Sequence, residues 1–164
     1  MAALQTDQQP TPLFLKSFHR IGRLPFSVET LVEYPEVSRI HCIIEWQNNA
    51  WYIRDVSKNG VWVNHKRLPT NKDIKLNLHD SICIANVPNL TFNVICLNAP
   101  KDLLISTEVY PLSYGEVEVI ELEKYHFLPD ESEPELVIFY DAVNHEWCYE
   151  SQDASDYLVV KDDE

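Results

Sequence analysis

The chain is poor in the residues that make loose turns and in positive charge. Only three of its 164 residues are glycine, at Gly22, Gly60 and Gly115. Turns that need a left-handed backbone must therefore be built by Asn, Asp or His, with Pro fixing others. Lys and Arg number 13 against 26 Asp and Glu, a formal net charge of −13. That balance argues against DNA or RNA as a direct partner, because a polyphosphate needs a cationic surface. Four cysteines occur, Cys42, Cys83, Cys96 and Cys148, with no Cys-x-x-Cys pair. They read as free thiols in a reducing compartment rather than as a zinc site. The six histidines form no His-x-x-x-His pair, and no Gly-rich phosphate loop precedes a helix. No metal, cofactor or catalytic residue is therefore assigned, and the expectation is a protein that is not an enzyme. No apolar run approaches the roughly 20 residues of a membrane helix, and residues 1–12 lack the apolar stretch of a signal peptide. A cytoplasmic protein without membrane partners is expected.

What is present is short-strand patterning. The chain is 45% hydrophobic, which is ample for a core. Runs rich in β-branched and aromatic residues recur between turn signals: residues 13–18, 19–21, 31–34, 41–46, 51–56, 61–63, 74–78, 81–85 and 90–97. Helical periodicity is scarce. The pattern predicts an all-β, antiparallel β-sandwich. Charge divides the chain near Asn98-Ala99-Pro100. Residues 1–100 hold ten Lys/Arg and eight Asp/Glu, whereas residues 101–164 hold three and eighteen. The later part still contains apolar runs, over residues 116–122, 135–140, 146–150 and 157–160. It reads as a small acidic β-rich extension, with a hairpin around Asp141–His145 and an exposed loop over residues 129–134. The expected organisation is a flexible segment over 1–12, a domain over 13–98 and the extension over 101–164.

Three short signatures stand in order within the strand pattern: Ile21-Gly22-Arg23, then Ser38-Arg39-Ile40-His41, then Ser57-Lys58-Asn59-Gly60 followed by Val61-Trp62-Val63-Asn64. With Leu78-His79-Asp80-Ser81-Ile82, they make residues 13–97 resemble a forkhead-associated domain, a β-sandwich that recognises phosphothreonine peptides. The resemblance implies an interaction module in Ser/Thr-kinase signalling. Its partner would be a phosphothreonine-containing protein or peptide, a Ser/Thr kinase or that kinase's substrate.

The chemistry suits those residues. A phosphothreonine carries about −1.5 to −2 charges and three acceptor oxygens, so its receptor needs a fixed cation and neutral donors. By resemblance Arg23 supplies the guanidinium and Ser38 a hydroxyl. Arg39 touches the ligand or braces its loop. Lys58 brings a second cation where many relatives carry Ser or Thr, and Asn59 bonds the peptide main chain. Gly22, His41, Gly60 and Asn64 are expected to support the site. His65 and His79 stand where the family usually has glycine, at positions where a positive φ is expected. The three Glu of residues 24–36 would disfavour acidic peptides. Two regulatory alternatives accompany this reading. Phosphorylated Thr6 or Thr11 would enter the chain's own site, or the acidic extension would shield it.

Overall fold

The computed structural model describes residues 1–8, 12–101, 103–106, 112–113, 119–121, 125–128, 136–151 and 157–160. The elements of the first hundred residues are β1 (Ala2–Gln5), β2 (Leu13–Phe14), β3 (Phe18–Gly22), β4 (Thr30–Leu31), β5 (Cys42–Gln47), β6 (Ala50–Asp55), β7 (Val61–Val63), β8 (Lys66–Arg67), β9 (Asp73–Lys75), β10 (Ser81–Ile84), a 3-10 turn at Pro88–Leu90 and β11 (Thr91–Leu97). The extension adds β12 (Leu103–Ser106), β13 (Leu112–Ser113), β14 (Val119–Glu121), β15 (Tyr125–Leu128), β16 (Leu136–Asp141), β17 (Glu146–Ser151) and β18 (Tyr157–Val160).

Two six-stranded sheets build the sandwich. One runs β2-β1-β11-β10-β7-β8, the other β13-β4-β3-β5-β6-β9. Burial alternates residue by residue along β6, β10 and the first half of β11, as it must in strands with one face inward. Ile21, Ile44, Trp51 and Ile53 of the second sheet share one buried cluster with Leu4, Ile82, Ile84, Phe92 and Val94 of the first. Burying each such side chain contributes about 1.5–3 kcal/mol. Trp51 satisfies its indole N–H on the Asn98 carbonyl at 2.9 Å, which ties the end of β11 to the core.

Scarce glycine has the expected consequence. Asn48, Asn49, Asn64, His65, Asn71, His79, Ala85 and Asn86 all have positive φ in this domain. The β5–β6 hairpin turns on Asn48-Asn49, with Gln47 opposite Ala50, and the β7–β8 hairpin turns on Asn64-His65, with Val63 opposite Lys66. Two consecutive left-handed residues are the geometry a two-residue hairpin requires.

Residues 1–12 are not a flexible segment throughout. β1 lies between β11 and β2, and Ala2 and Leu4 are fully buried. The reason is pairing and burial: Ala2–Gln5 pair with β11, Ala2, Ala3 and Leu4 are buried, and Leu15 N–H bonds the Ala2 carbonyl at 3.0 Å. The sandwich is also not wholly antiparallel. β3 pairs in parallel with β4, and β4 in parallel with β13, which brings the extension onto the edge of the second sheet. The β16–β17 hairpin forms over the expected residues, with Asp141 opposite Glu146. The loop expected over residues 129–134 lies outside the described residues.

Candidate functional site

The site is made where three loops leave the sandwich at one end, and the backbone assembles it first. β3 ends at Gly22, where the following chain passes against residues 38–39. A Cβ on Gly22 would sit 2.1 Å from the Arg39 carbonyl oxygen, so only glycine admits this approach. Arg23 N–H then bonds the Ser38 carbonyl and Leu24 N–H the Arg39 carbonyl, each at 3.2 Å. The first and second signatures are thus one stitched unit.

Arg23 is exposed, but its guanidinium is not free to wander. Its Nε donates to the Val37 carbonyl at 2.7 Å. The two terminal nitrogens make no bond among the described residues and remain available. Ser38 Oγ accepts the Lys58 N–H at 3.1 Å, which leaves its own hydrogen to donate. This bond joins the second signature to the third.

His41 fastens the same two loops from below. Its Nδ1 accepts the Ser38 N–H at 3.0 Å, so the proton sits on Nε2, which donates to the Gly60 carbonyl at 2.8 Å. Burial pushes the His41 pKa down, against the upward pull of the Gly60 carbonyl and Asp55. The ring is neutral at pH 7, and both its nitrogens are engaged with backbone. The ring joins the Ser38 and Gly60 loops.

Asn59 donates from Nδ2 to the Glu36 carbonyl at 2.8 Å, which spans the loops once more and leaves Oδ1 open at the surface. Gly60, not Asn59, takes the left-handed conformation, with φ of 90°. Arg39 and Lys58 are exposed beside these groups. No carboxylate among the described residues neutralises Arg23, Arg39 or Lys58. Arg20 and Arg54, by contrast, pair with Glu29 and Asp73. In a chain of net charge −13, such a group of cations stands out.

Asn64 is placed differently. It staples the β7–β8 turn to the turn before β10, through Nδ2 to Asp80 Oδ1 at 2.8 Å and Ser81 N–H to its Oδ1 at 2.9 Å. Its role is to set that turn, with φ of 52°. His65 and His79 take φ of 67° and 70°, as their positions imply.

The structure gives a role to two residues, Asp55 and Ser57, to which the sequence reading assigned none. Buried Asp55 accepts from Ser57 N–H at 2.8 Å and Ser57 Oγ–H at 2.5 Å through Oδ1, and Ser57 Oγ accepts the Gly60 N–H at 2.8 Å. This relay shapes the loop that presents Lys58 and Asn59. The available signal was Asp55-Val56-Ser57, an aspartate two residues before a hydroxyl at a strand's end.

Thr6 does not suit the autoregulatory role. Its side chain is buried, with Oγ1 enclosed and unbonded just past β1. A kinase has no access to it in this fold. Thr11 lies outside the described residues.

Part of the chain matches known proteins. Residues 19–85 match the family model described as the FHA, or forkhead-associated, domain. An uncharacterized Caenorhabditis elegans protein is 34% identical over 67 residues, which are 36% of this chain and 9% of that protein. The chain therefore spans under a tenth of the length of this relative. Among solved structures, the FHA domain of MEK1 aligns with a TM-score of 0.50 at 20% identity, covering 59% of this chain and 89% of that one. The FHA domain of an Arabidopsis thaliana hypothetical protein aligns with a TM-score of 0.50 at 21% identity, covering 61% and 90%. At these identities the likeness is one of fold.

Proposed function

We propose that this chain, whose residues 19–85 are a forkhead-associated domain, is an interaction module that binds phosphothreonine-containing proteins. The observation that carries the reading is the uncommitted hydrogen-bonding capacity at the loop end. Arg23 keeps two guanidinium nitrogens, Ser38 a hydroxyl hydrogen and Asn59 a carbonyl oxygen, all on loops already locked together by backbone bonds. A receptor ordered before the ligand arrives loses little entropy on binding.

In this reading Arg23 and the Ser38 hydroxyl bond the phosphate oxygens. Lys58 and Arg39 add positive potential, and Asn59 meets the peptide main chain. Charge-assisted bonds contribute roughly 1.5–3 kcal/mol each, so two of them would separate phosphorylated from plain peptide by about a hundredfold or more. The partner would be a cytoplasmic protein modified by a Ser/Thr kinase, or the kinase itself. Chemistry by the domain's own groups has little support. His19 and His41 use both ring nitrogens in internal bonds, and burial raises the Cys42 thiol pKa far above neutrality.

The test is fluorescence-anisotropy binding to a degenerate phosphothreonine peptide library, with phosphoserine and unmodified libraries as controls. Binding confined to the phosphothreonine library supports the reading. A folded protein that binds none of the three overturns it.

One observation favours shielding by the extension as a second layer. β13 runs parallel to β4 and β3, with Ser113 opposite Leu31 and Leu31 opposite Gly22. The extension thus reaches the sheet edge, through Leu112 and Ser113, at the level where β3 hands over to Arg23. Comparing the full chain with one ending at Pro100, both shown folded by thermal melting, tests this. Equal affinities and equal salt dependence would set shielding aside.

A further inference from the structure

A further cation, beyond Arg23, Arg39 and Lys58, is held at the border of the candidate site. Trp62 and Arg67 are opposite one another on the β7–β8 hairpin, and the Arg67 guanidinium carbon lies 5.2 Å from the centre of the Trp62 ring. The pair abuts the loop that carries Asn59. A Cβ on Gly60 would fall 2.8 Å from Arg67 Nε and 3.0 Å from Trp62 Cζ3. Arg67 is exposed, and no carboxylate among the described residues pairs with it. Stacking on an aromatic face fixes the plane of a guanidinium while leaving its edge donors outward. The arrangement places a held cation against Gly60, one residue beyond Asn59.

Negative charge lies nearby as well. Glu36, whose carbonyl accepts from Asn59, carries an exposed carboxylate, and Glu33 lies exposed in the same loop. Asn59 is thus in contact with a loop that carries acids and is followed by Gly60, which packs against Arg67.

We propose that Arg67, held on Trp62, is a specificity-determining residue that receives an anionic side chain of the same phosphopeptide, a few residues from the phosphothreonine. The ligand class is a charge-asymmetric segment with its acid on the Arg67 flank. The inference rests on the reading in which Arg23, Ser38 and Asn59 hold the phosphothreonine. The anion is a carboxylate of Asp or Glu, or a second phosphate.

The experiment moves a single Glu along an otherwise neutral phosphothreonine peptide, one position at a time on each side, and measures affinity for the wild type, Arg67→Ala and Arg67→Glu. Glu at one or two offsets on one side should tighten wild-type binding about threefold to tenfold. Arg67→Ala should remove that gain and leave the neutral phosphothreonine peptide bound within about twofold of wild type. Arg67→Glu should transfer the preference to Lys at the same offsets. A second phosphothreonine at the best offset separates the two anions: a gain larger than that of Glu identifies a doubly phosphorylated ligand, and a smaller one a carboxylate. A Glu profile identical in wild type and Arg67→Ala overturns the proposal while leaving the phosphothreonine site intact. If the neutral phosphothreonine peptide itself fails to bind wild type, the parent reading falls and this one with it.

Discussion

His41 holds the Gly60 carbonyl at 2.8 Å from Nε2 while its Nδ1 receives the Ser38 N–H. One buried ring therefore fixes the distance between the loop that offers a hydroxyl and the loop that offers an amide. The geometry of the binding surface is set from inside the sandwich, by a residue no ligand touches.

Replacing His41 by Ala leaves a buried N–H and a buried C=O without partners, each worth about 1–3 kcal/mol. His41→Ala should lower the unfolding free energy by about 2–4 kcal/mol in urea denaturation. Phosphopeptide affinity, measured where the variant is still folded, should fall as well, because Ser38 and Gly60 lose their common anchor.

Stability should fall on mild acidification. Burial pushes the His19 pKa down to about 4, where its Nε2 meets Thr30 Oγ1 at 2.6 Å. The unfolded chain takes up this proton near pH 6.5 and the folded one only near pH 4. Stability is thus complete above pH 6.5 and declines as pH falls toward 4, by about 3 kcal/mol from this group. His41, depressed in the same direction, adds to the decline. Glu29 extends it below pH 4.5: burial raises its pKa, but the hydrogen bonds from Arg20 outweigh that and hold it low. Thermal melts across this range should show a falling midpoint, flattened in a His19→Gln variant that still folds.

The Asp55–Ser57 relay should matter as much as the residues at the surface. Ser57→Ala strands the Gly60 N–H and removes one donor from a buried carboxylate. A loss of about 1–3 kcal/mol in stability is expected. Phosphopeptide affinity should weaken too, although Ser57 meets no ligand. Amide exchange at Gly60 faster than in wild type would locate the defect in this loop.

Gly22 and Gly60 should differ in their response to alanine. At Gly22 the obstacle is backbone, 2.1 Å from the added methyl, and backbone cannot step aside. Gly22→Ala should unfold the domain or lower its melting point severely. At Gly60 the neighbours are the side chains of Arg67 and Trp62, which can move, and the main cost is the left-handed φ of 90°. Gly60→Ala should lose about 1–2 kcal/mol and stay folded.

Much of this architecture was legible in the amino-acid order. Alternation marked β5, β6, β10 and β11 to within a residue or two, because each has one face in the core. The three signatures marked Gly22, Arg23, Ser38, His41, Asn59 and Gly60, which the fold brings to one end of the sandwich. Other features were not legible for physical reasons. β1 is a four-residue strand of Ala, Ala, Leu and Gln, with no β-branched residue to signal it, and only tertiary packing makes it a strand. β8, Lys66–Arg67, is exposed on both residues and exists because the Asn64-His65 turn folds it back. Asp55 looked like one acid among many until its burial showed what it organises. Asn64 was expected to support the site, but its particular partners, Asp80 and Ser81, come together only in the fold.

Whether Arg23 meets a phosphate is decided by a thermodynamic cycle. Affinities would be measured for one phosphothreonine peptide and its unmodified twin, against wild type and Arg23→Ala, with both proteins shown folded by their melting curves. Wild type should prefer the phosphorylated peptide by about a hundredfold, and Arg23→Ala should reduce this preference to a few-fold or less. Equal preference in both proteins would contradict it and place the phosphate, or its absence, somewhere other than the end of β3.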